Sequence, residues 1–270
     1  MTIAAGVRCT DGIVICADTE HTAGEGRYDR PKIFGNPQGW LLVSGSGWAD
    51  YIKMAFDKLC ERLTEERPQN PADARKLVER VVLNIYQKNI ASVFHVGESN
   101  SPEIYLIAGV RCLNGELALI KTTHTSVILS PLYESVGIGS NIFEYWAKFF
   151  FERQRSMEIV GCFCMFILQE VKNAVPTCGG GTMVSFLPAD ISTPKVHTSF
   201  LPGGEPLAGF PQTAVNVLLE ATDLRDLDFS IGMFRGTAEG LKGFIKSRLE
   251  MRERMRLAFE EQAKLSEGKK

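Results

Sequence analysis

The chain is poor in histidine and has no paired cysteine motif. Its four histidines, His21, His95, His124 and His197, form no H-x-x-x-H pattern, so the sequence predicts no metal centre. The seven cysteines, Cys9, Cys16, Cys60, Cys112, Cys162, Cys164 and Cys178, are odd in number and include no C-x-x-C pair. That usage reads as buried thiols in a reduced, cytoplasmic protein rather than a disulfide framework. No apolar run reaches the roughly 18–20 residues that span a bilayer, so no membrane contact is expected. No charged segment followed by an apolar core and cleavage site appears, so no signal peptide is expected. Neither sign of charge dominates, with 30 Lys and Arg against 32 Asp and Glu for a net −2. With no long basic block either, nucleic-acid binding is not expected. No cofactor is implied. What the sequence does have is 270 residues of ordinary apolar content, 44%, enough to bury a substantial core in one large or two small domains.

The first fifty residues organise the rest. Residues 3–9 (IAAGVRC) and 13–18 (IVICAD) are apolar runs around Asp11-Gly12, which predicts a hairpin. The second run has no polar alternation until its end, as expected of a strand buried on both faces. Residues 19–31 read as a polar loop. Lys32–Phe34 and Trp40–Ser44 read as strands joined at Gly35-Asn36-Pro37. After Gly47 the apolar period becomes helical, through Tyr51, Ile52, Met54, Phe56, Leu59 and Leu63, and ends near Arg67-Pro68. Asn70-Pro71 starts a second helix, a capping side chain followed by a proline whose missing N–H costs nothing there; the apolar stripe then runs to about Ile90. Residues 91–102 form a loop. Strands are expected at 103–112 and 116–122 around Asn114-Gly115, then at 127–129 and 133–137, followed by helices at 140–153 and 157–173 and strands at 183–187 and 195–198. Strands, two helices, strands, two helices, strands is the order that two sheets between two helical layers require.

Four residues near the start form a chemical constellation: Thr2, Asp18, Lys32 and Gly45. A threonine hydroxyl is a weak nucleophile until a base takes its proton. An α-amine on the same residue, with an ordinary pKa near 8, is such a base once the initiator methionine has gone. A nearby lysine lowers that pKa further, and a carboxylate keeps the lysine charged and in place. A glycine-rich turn offers backbone N–H groups to an oxyanion. In this reading Thr2 is nucleophile, its amine is base, Lys32 tunes the amine, Asp18 holds Lys32, and the N–H of Gly45 meets the oxyanion. Lys32 itself, close to a strand end, is expected to be partly solvated.

These residues resemble the start of a proteasome β-type subunit and of its bacterial relatives HslV and Anbu. The marks are the leading Thr2, the hairpin Asp11 to Val14, the triplet Ala17-Asp18-Thr19, Thr22-Ala23-Gly24, Lys32 before an apolar residue, and Ser44-Gly45. The Thr2-to-Asp18 spacing matches; the loop between Asp18 and Lys32 is shorter than in the family. The likeness is closest over residues 2–60, extends to about 187 and ends by about 200. It implies a four-layer αββα N-terminal-nucleophile hydrolase fold, a homo-oligomeric, ring-like assembly and threonine-type peptidase activity on protein or peptide substrates. An unfoldase partner would be compatible with such a ring.

The family pattern also places a serine in a G-S-G-S loop, and an aspartate and serine before a glycine pair. Here the first loop reads Gly137-Ile138-Gly139-Ser140 and the second Val175-Pro176-Thr177-Cys178-Gly179. Isoleucine and proline cannot make those hydrogen bonds; Ser140, Thr177 and Cys178 are the nearby candidates to replace them. Two other readings therefore stand beside the peptidase: a structural ring subunit without activity, and an amidohydrolase of small amides on the same fold. Residues 1–200 are expected to form the hydrolase domain. Residues 201–270 are expected to form a linker (201–210) and a helical C-terminal extension, whose long charged helix, about 237–266, would stabilise oligomers.

Overall fold

A computed structural model describes residues 2–23, 26–92, 102–151, 154–190 and 197–199. Helix α1 spans Ala49–Glu65 and α2 spans Pro71–Ile85, followed by one π-helical turn, Tyr86–Ile90; α3 is Ser140–Phe150 and α4 is Met157–Ala174. Asn70 caps α2 as its sequence predicts, its side chain accepting the Asp73 N–H at 3.1 Å.

Two five-stranded sheets carry the fold. The first contains β1 (Ile3–Arg8), β2 (Gly12–Asp18), β10 (Tyr133–Gly137), β11 (Thr182–Pro188) and β12 (His197–Ser199), ordered β10-β1-β2-β11-β12. The second contains β5 (Phe34–Gly35), β6 (Leu41–Gly47), β7 (Ile104–Arg111), β8 (Leu117–Thr123) and β9 (Ser126–Ser130), in that order. All paired strands in both sheets run antiparallel. The hairpins expected at Asp11-Gly12 and Asn114-Gly115 both form.

The residues expected to be buried explain why the sheets stay together. Ala4, Ile13, Ile15 and Ala17 pack with Leu42, Ile107, Leu117 and Leu119 in one shared apolar cluster. The other face of the second sheet, through Leu41, Val43, Leu106, Ala108 and Ile120, packs with Leu59, Leu63, Leu77, Val78 and Val82 of α1 and α2. Each leucine, isoleucine or valine among them, once removed from water, contributes on the order of 1.5–3 kcal/mol. Helix α4 contacts β2 and β11, and α3 contacts β10. Phe143, Trp146 and Phe150 of α3 are buried, and Trp146 and Phe150 meet Phe166 of α4 edge to face.

Two expectations need correction. Residues 19–31 are not a plain loop: β3 (Glu20–Ala23) and β4 (Gly26–Asp29) pair as a two-stranded ribbon. Lys32 is not in a strand but in the connection leading to β5, and it is not solvated: it is 5% exposed. The expected linker 201–210 and helical extension, the domain boundary at 200, and most of the expected loop 91–102 lie outside the described residues.

Candidate active site

The chain geometry brings the end of three strands to one place. Thr2 precedes β1, Asp18 closes β2, and Gly45 lies in β6, where it pairs with Leu106 of β7. Lys32 reaches the same point from its connection, which is held by Ser44: the Ser44 hydroxyl donates to the Lys32 carbonyl at 2.9 Å and is itself fully buried.

Thr2, Asp18 and Lys32 touch one another. The Thr2 hydroxyl donates to Asp18 Oδ1. Lys32 Nζ donates to Thr2 Oγ1 at 2.5 Å and to Asp18 Oδ1 at 2.8 Å. A further Lys32 hydrogen bond goes to the Glu20 carbonyl. Asp18 also accepts the Ile3 N–H at 3.1 Å, and through Oδ2 the Gly179 N–H at 3.2 Å. Thr2 is 5% exposed and Asp18 not at all. Burial pushes the Lys32 ammonium below its usual pKa, and the Asp18 charge opposes that shift. Lys32 and Asp18 thus meet the same hydroxyl in opposite roles, one as donor and one as acceptor.

A cavity of about 610 Å³ opens over this cluster and is lined by Thr2, Lys32, Gly45, His21, Tyr105 and Ile138 among others. Of the four residues singled out from the sequence, three line it and Asp18 lies beneath. His21 Nε2 is buried with no hydrogen-bond partner. Its pKa is lowered to about 4, first by burial and then by the neighbouring Lys32, so the ring is neutral near pH 7.

The backbone behind Thr2 is equally constrained. Ile138 N–H donates to the Thr2 carbonyl at 3.0 Å. Gly137 has φ +100°, and a Cβ there would lie 2.1 Å from the Thr2 carbonyl oxygen; only glycine fits. The Ile138 side chain is 48% exposed. Of the suggested replacements for the missing serines, Ser140 lines the cavity and Cys178 is buried. The Thr177 hydroxyl is buried without a partner. Burial, with Asp18 nearby, raises the Cys178 thiol to about 11. Sequence reasoning quoted Ser44 and Gly179 within motifs but gave neither a role; Ser44 acts on the Lys32 carbonyl and Gly179 on the Asp18 carboxylate.

Among the described residues no group of His, Cys, Asp or Glu is placed to hold a metal ion, and no helix is long and apolar enough to cross a membrane. No protein-family model matches the chain, and no curated protein matches it by sequence. Among solved structures, the fold is similar to Anbu, the ancestral beta-subunit from Yersinia bercovieri, with a TM-score of 0.60. The match covers 74% of this chain and 88% of that one at 14% sequence identity.

Proposed function

We propose that the protein is a threonine-type peptidase of the proteasome-like kind, with Thr2 as its amino-terminal nucleophile. The observation that carries this is the contact of one hydroxyl, Thr2 Oγ1, with both Asp18 and Lys32 at the base of a cavity. The similarity of the fold to Anbu supports the class. The four-layer αββα arrangement, a division of the chain near residue 200, a homo-oligomeric ring in the cytoplasm, and peptide substrates are parts of the same proposal.

In this mechanism removal of Met1 frees the Thr2 amine. The amine takes the hydroxyl proton while Lys32, held by Asp18, keeps the amine pKa low and favours the alkoxide. Thr2 Oγ1 attacks the substrate carbonyl. The oxyanion is met by the Gly45 N–H. Collapse returns the proton to the departing amine and leaves an ester on Thr2, which water then hydrolyses. No metal or cofactor enters.

One observation favours the competing reading of a ring subunit that kept the fold without the activity: at Ile138 an exposed aliphatic side chain stands where the pattern has a serine. Intact mass and covalent labelling decide between the two. The protein lacking Met1, treated with a threonine-directed electrophile such as a peptide epoxyketone, should gain one adduct at Thr2, and Thr2→Ala should gain none and hydrolyse no peptide. A retained Met1, or no adduct on the processed chain, would sink the peptidase reading.

A further inference from the structure

The two oxygens of Asp18 are held from different sides. Oδ1 takes Thr2, Ile3 and Lys32, while Oδ2, among the described residues, takes the N–H of Gly179. Gly179 belongs to the turn between α4 and β11, so how this second oxygen is held depends on where that turn is placed. The turn reads Val175-Pro176-Thr177-Cys178-Gly179-Gly180-Gly181 and has no carboxylate of its own. Three consecutive glycines give it the greatest conformational freedom a chain can have. Gly180 uses that freedom: its φ is +67°, and a Cβ there would lie 1.9 Å from Asp29 Oδ1.

On the ribbon side the turn is bonded to β3 and its approach. Thr19 N–H donates to the Gly181 carbonyl at 3.1 Å, and Glu20 N–H to the Gly179 carbonyl at 3.2 Å. Gly181 N–H donates at 2.6 Å to the Thr19 hydroxyl, which donates in turn to Asp29. On the helix side the Val175 N–H donates to the Val171 carbonyl of α4 at 2.8 Å, and one side chain reaches the glycines. Lys172, in the last turn of α4, donates through Nζ to the Gly180 carbonyl at 3.2 Å and to Thr182 Oγ1 at 2.8 Å. A lysine near a helix end usually extends its ammonium into water. This one folds over the turn and spans it from Gly180 to the first residue of β11.

We propose that Lys172 is a positioning residue for the Thr2 site: it clamps the turn so that the Gly179 N–H stays on Asp18 Oδ2, and through Asp18 it fixes Lys32 and Thr2. The proposal rests on the peptidase reading for its catalytic consequence and on the geometry alone for the clamp.

Two readouts on the full-length, Met1-processed protein test it, and they can fail separately. One is hydrogen exchange at the Gly179 amide; the other is the rate of Thr2 labelling by a peptide epoxyketone. Lys172→Met keeps the aliphatic stem and removes the ammonium. It should speed Gly179 exchange and slow Thr2 labelling by about tenfold each, since small misplacements of supporting groups cost one to two orders of magnitude. In turnover kcat should fall with KM unchanged. Lys172→Arg, which keeps charge and donors, should recover part of both losses. Unchanged Gly179 exchange in Lys172→Met overturns the clamp; a variant labelled as fast as a labelled wild type overturns the positioning role. If the wild type is not labelled at all but Gly179 loosens in the variant, the clamp stands and the peptidase reading falls. Should Lys172→Met not fold, Thr182→Val removes one acceptor at modest structural cost. It should change the Gly179 exchange in the same direction, and no change there overturns the proposal.

Discussion

Lys32 Nζ stands 2.8 Å from Asp18 Oδ1, with 6% of one side chain and none of the other exposed. A pair this deep is asymmetric in its energetics. Removing one partner strands the other charge in the interior and costs about 3–5 kcal/mol, whereas removing both costs less. Lys32→Ala should therefore lose stability as well as activity, and Lys32→Arg should not restore activity, because a wide planar guanidinium cannot occupy the place of a compact ammonium. Adding Asp18→Asn to Lys32→Ala should return part of the lost stability. Urea midpoints of the two single variants and the double variant check this; additive losses would mean that the pair is not coupled.

Gly137→Ala tests the wall behind Thr2. With φ +100° and the Thr2 carbonyl 2.1 Å from the new methyl, backbone strain of about 1–3 kcal/mol is expected. The Thr2 carbonyl would move with it, so labelling at Thr2 should slow too. A variant that melts with the wild type would show that this stretch of backbone relaxes freely.

His21 gives the fold a definite acid response. Its folded pKa is lowered to about 4 from an ordinary 6.5. Between those values the unfolded chain binds a proton that the native protein does not. Native stability should accordingly fall as pH drops from about 6.5 to about 4, and this group contributes no pH dependence above that window. His21→Gln, compared with wild type at pH 7 and pH 5, should lose less of its urea midpoint on acidification. Equal losses in the two proteins would assign the acid sensitivity elsewhere.

Cys178 lies close to charged groups yet should be inert. It is 3% exposed and its thiol is raised to about 11 by burial, while only the thiolate reacts. Iodoacetamide at pH 7.5 should leave Cys178 unmodified in the native protein and alkylate it in urea, as read by peptide mass. Rapid native modification would mean that the turn opens.

Local signals in the sequence were faithful wherever one short stretch decides the outcome. Asp11-Gly12 and Asn114-Gly115 made their hairpins, and Asn70-Pro71 opened its helix. The sequence brought Thr2, Asp18 and Lys32 together by residue type, and the structure places the three side chains in contact. The ribbon β3–β4 was not legible: four-residue polar strands such as Gly26–Asp29, exposed along their length, carry no apolar alternation to read. The burial of Lys32 escaped notice because it depends on the Ser44 hydroxyl and the Glu20 carbonyl arriving from elsewhere. Lys172 read as one more polar residue at a helix end, since its partners Gly180 and Thr182 become neighbours only when α4 and β11 are in place.

The position of β1 within its sheet has a consequence for how the protein is made. It is paired on both sides, with β2 close in sequence and with β10, where Ile3 faces Gly137. Asp18 in turn waits for Gly179. Thr2 thus completes its surroundings only with segments that come far later in the sequence. A nascent chain adds about 5–20 residues each second, so Thr2 is made many seconds before Gly137, which stands behind it, and before Gly179, which holds Asp18. During that interval the growing chain has the threonine but not its surroundings, and on the proposed peptidase reading activity would begin only after both segments have arrived.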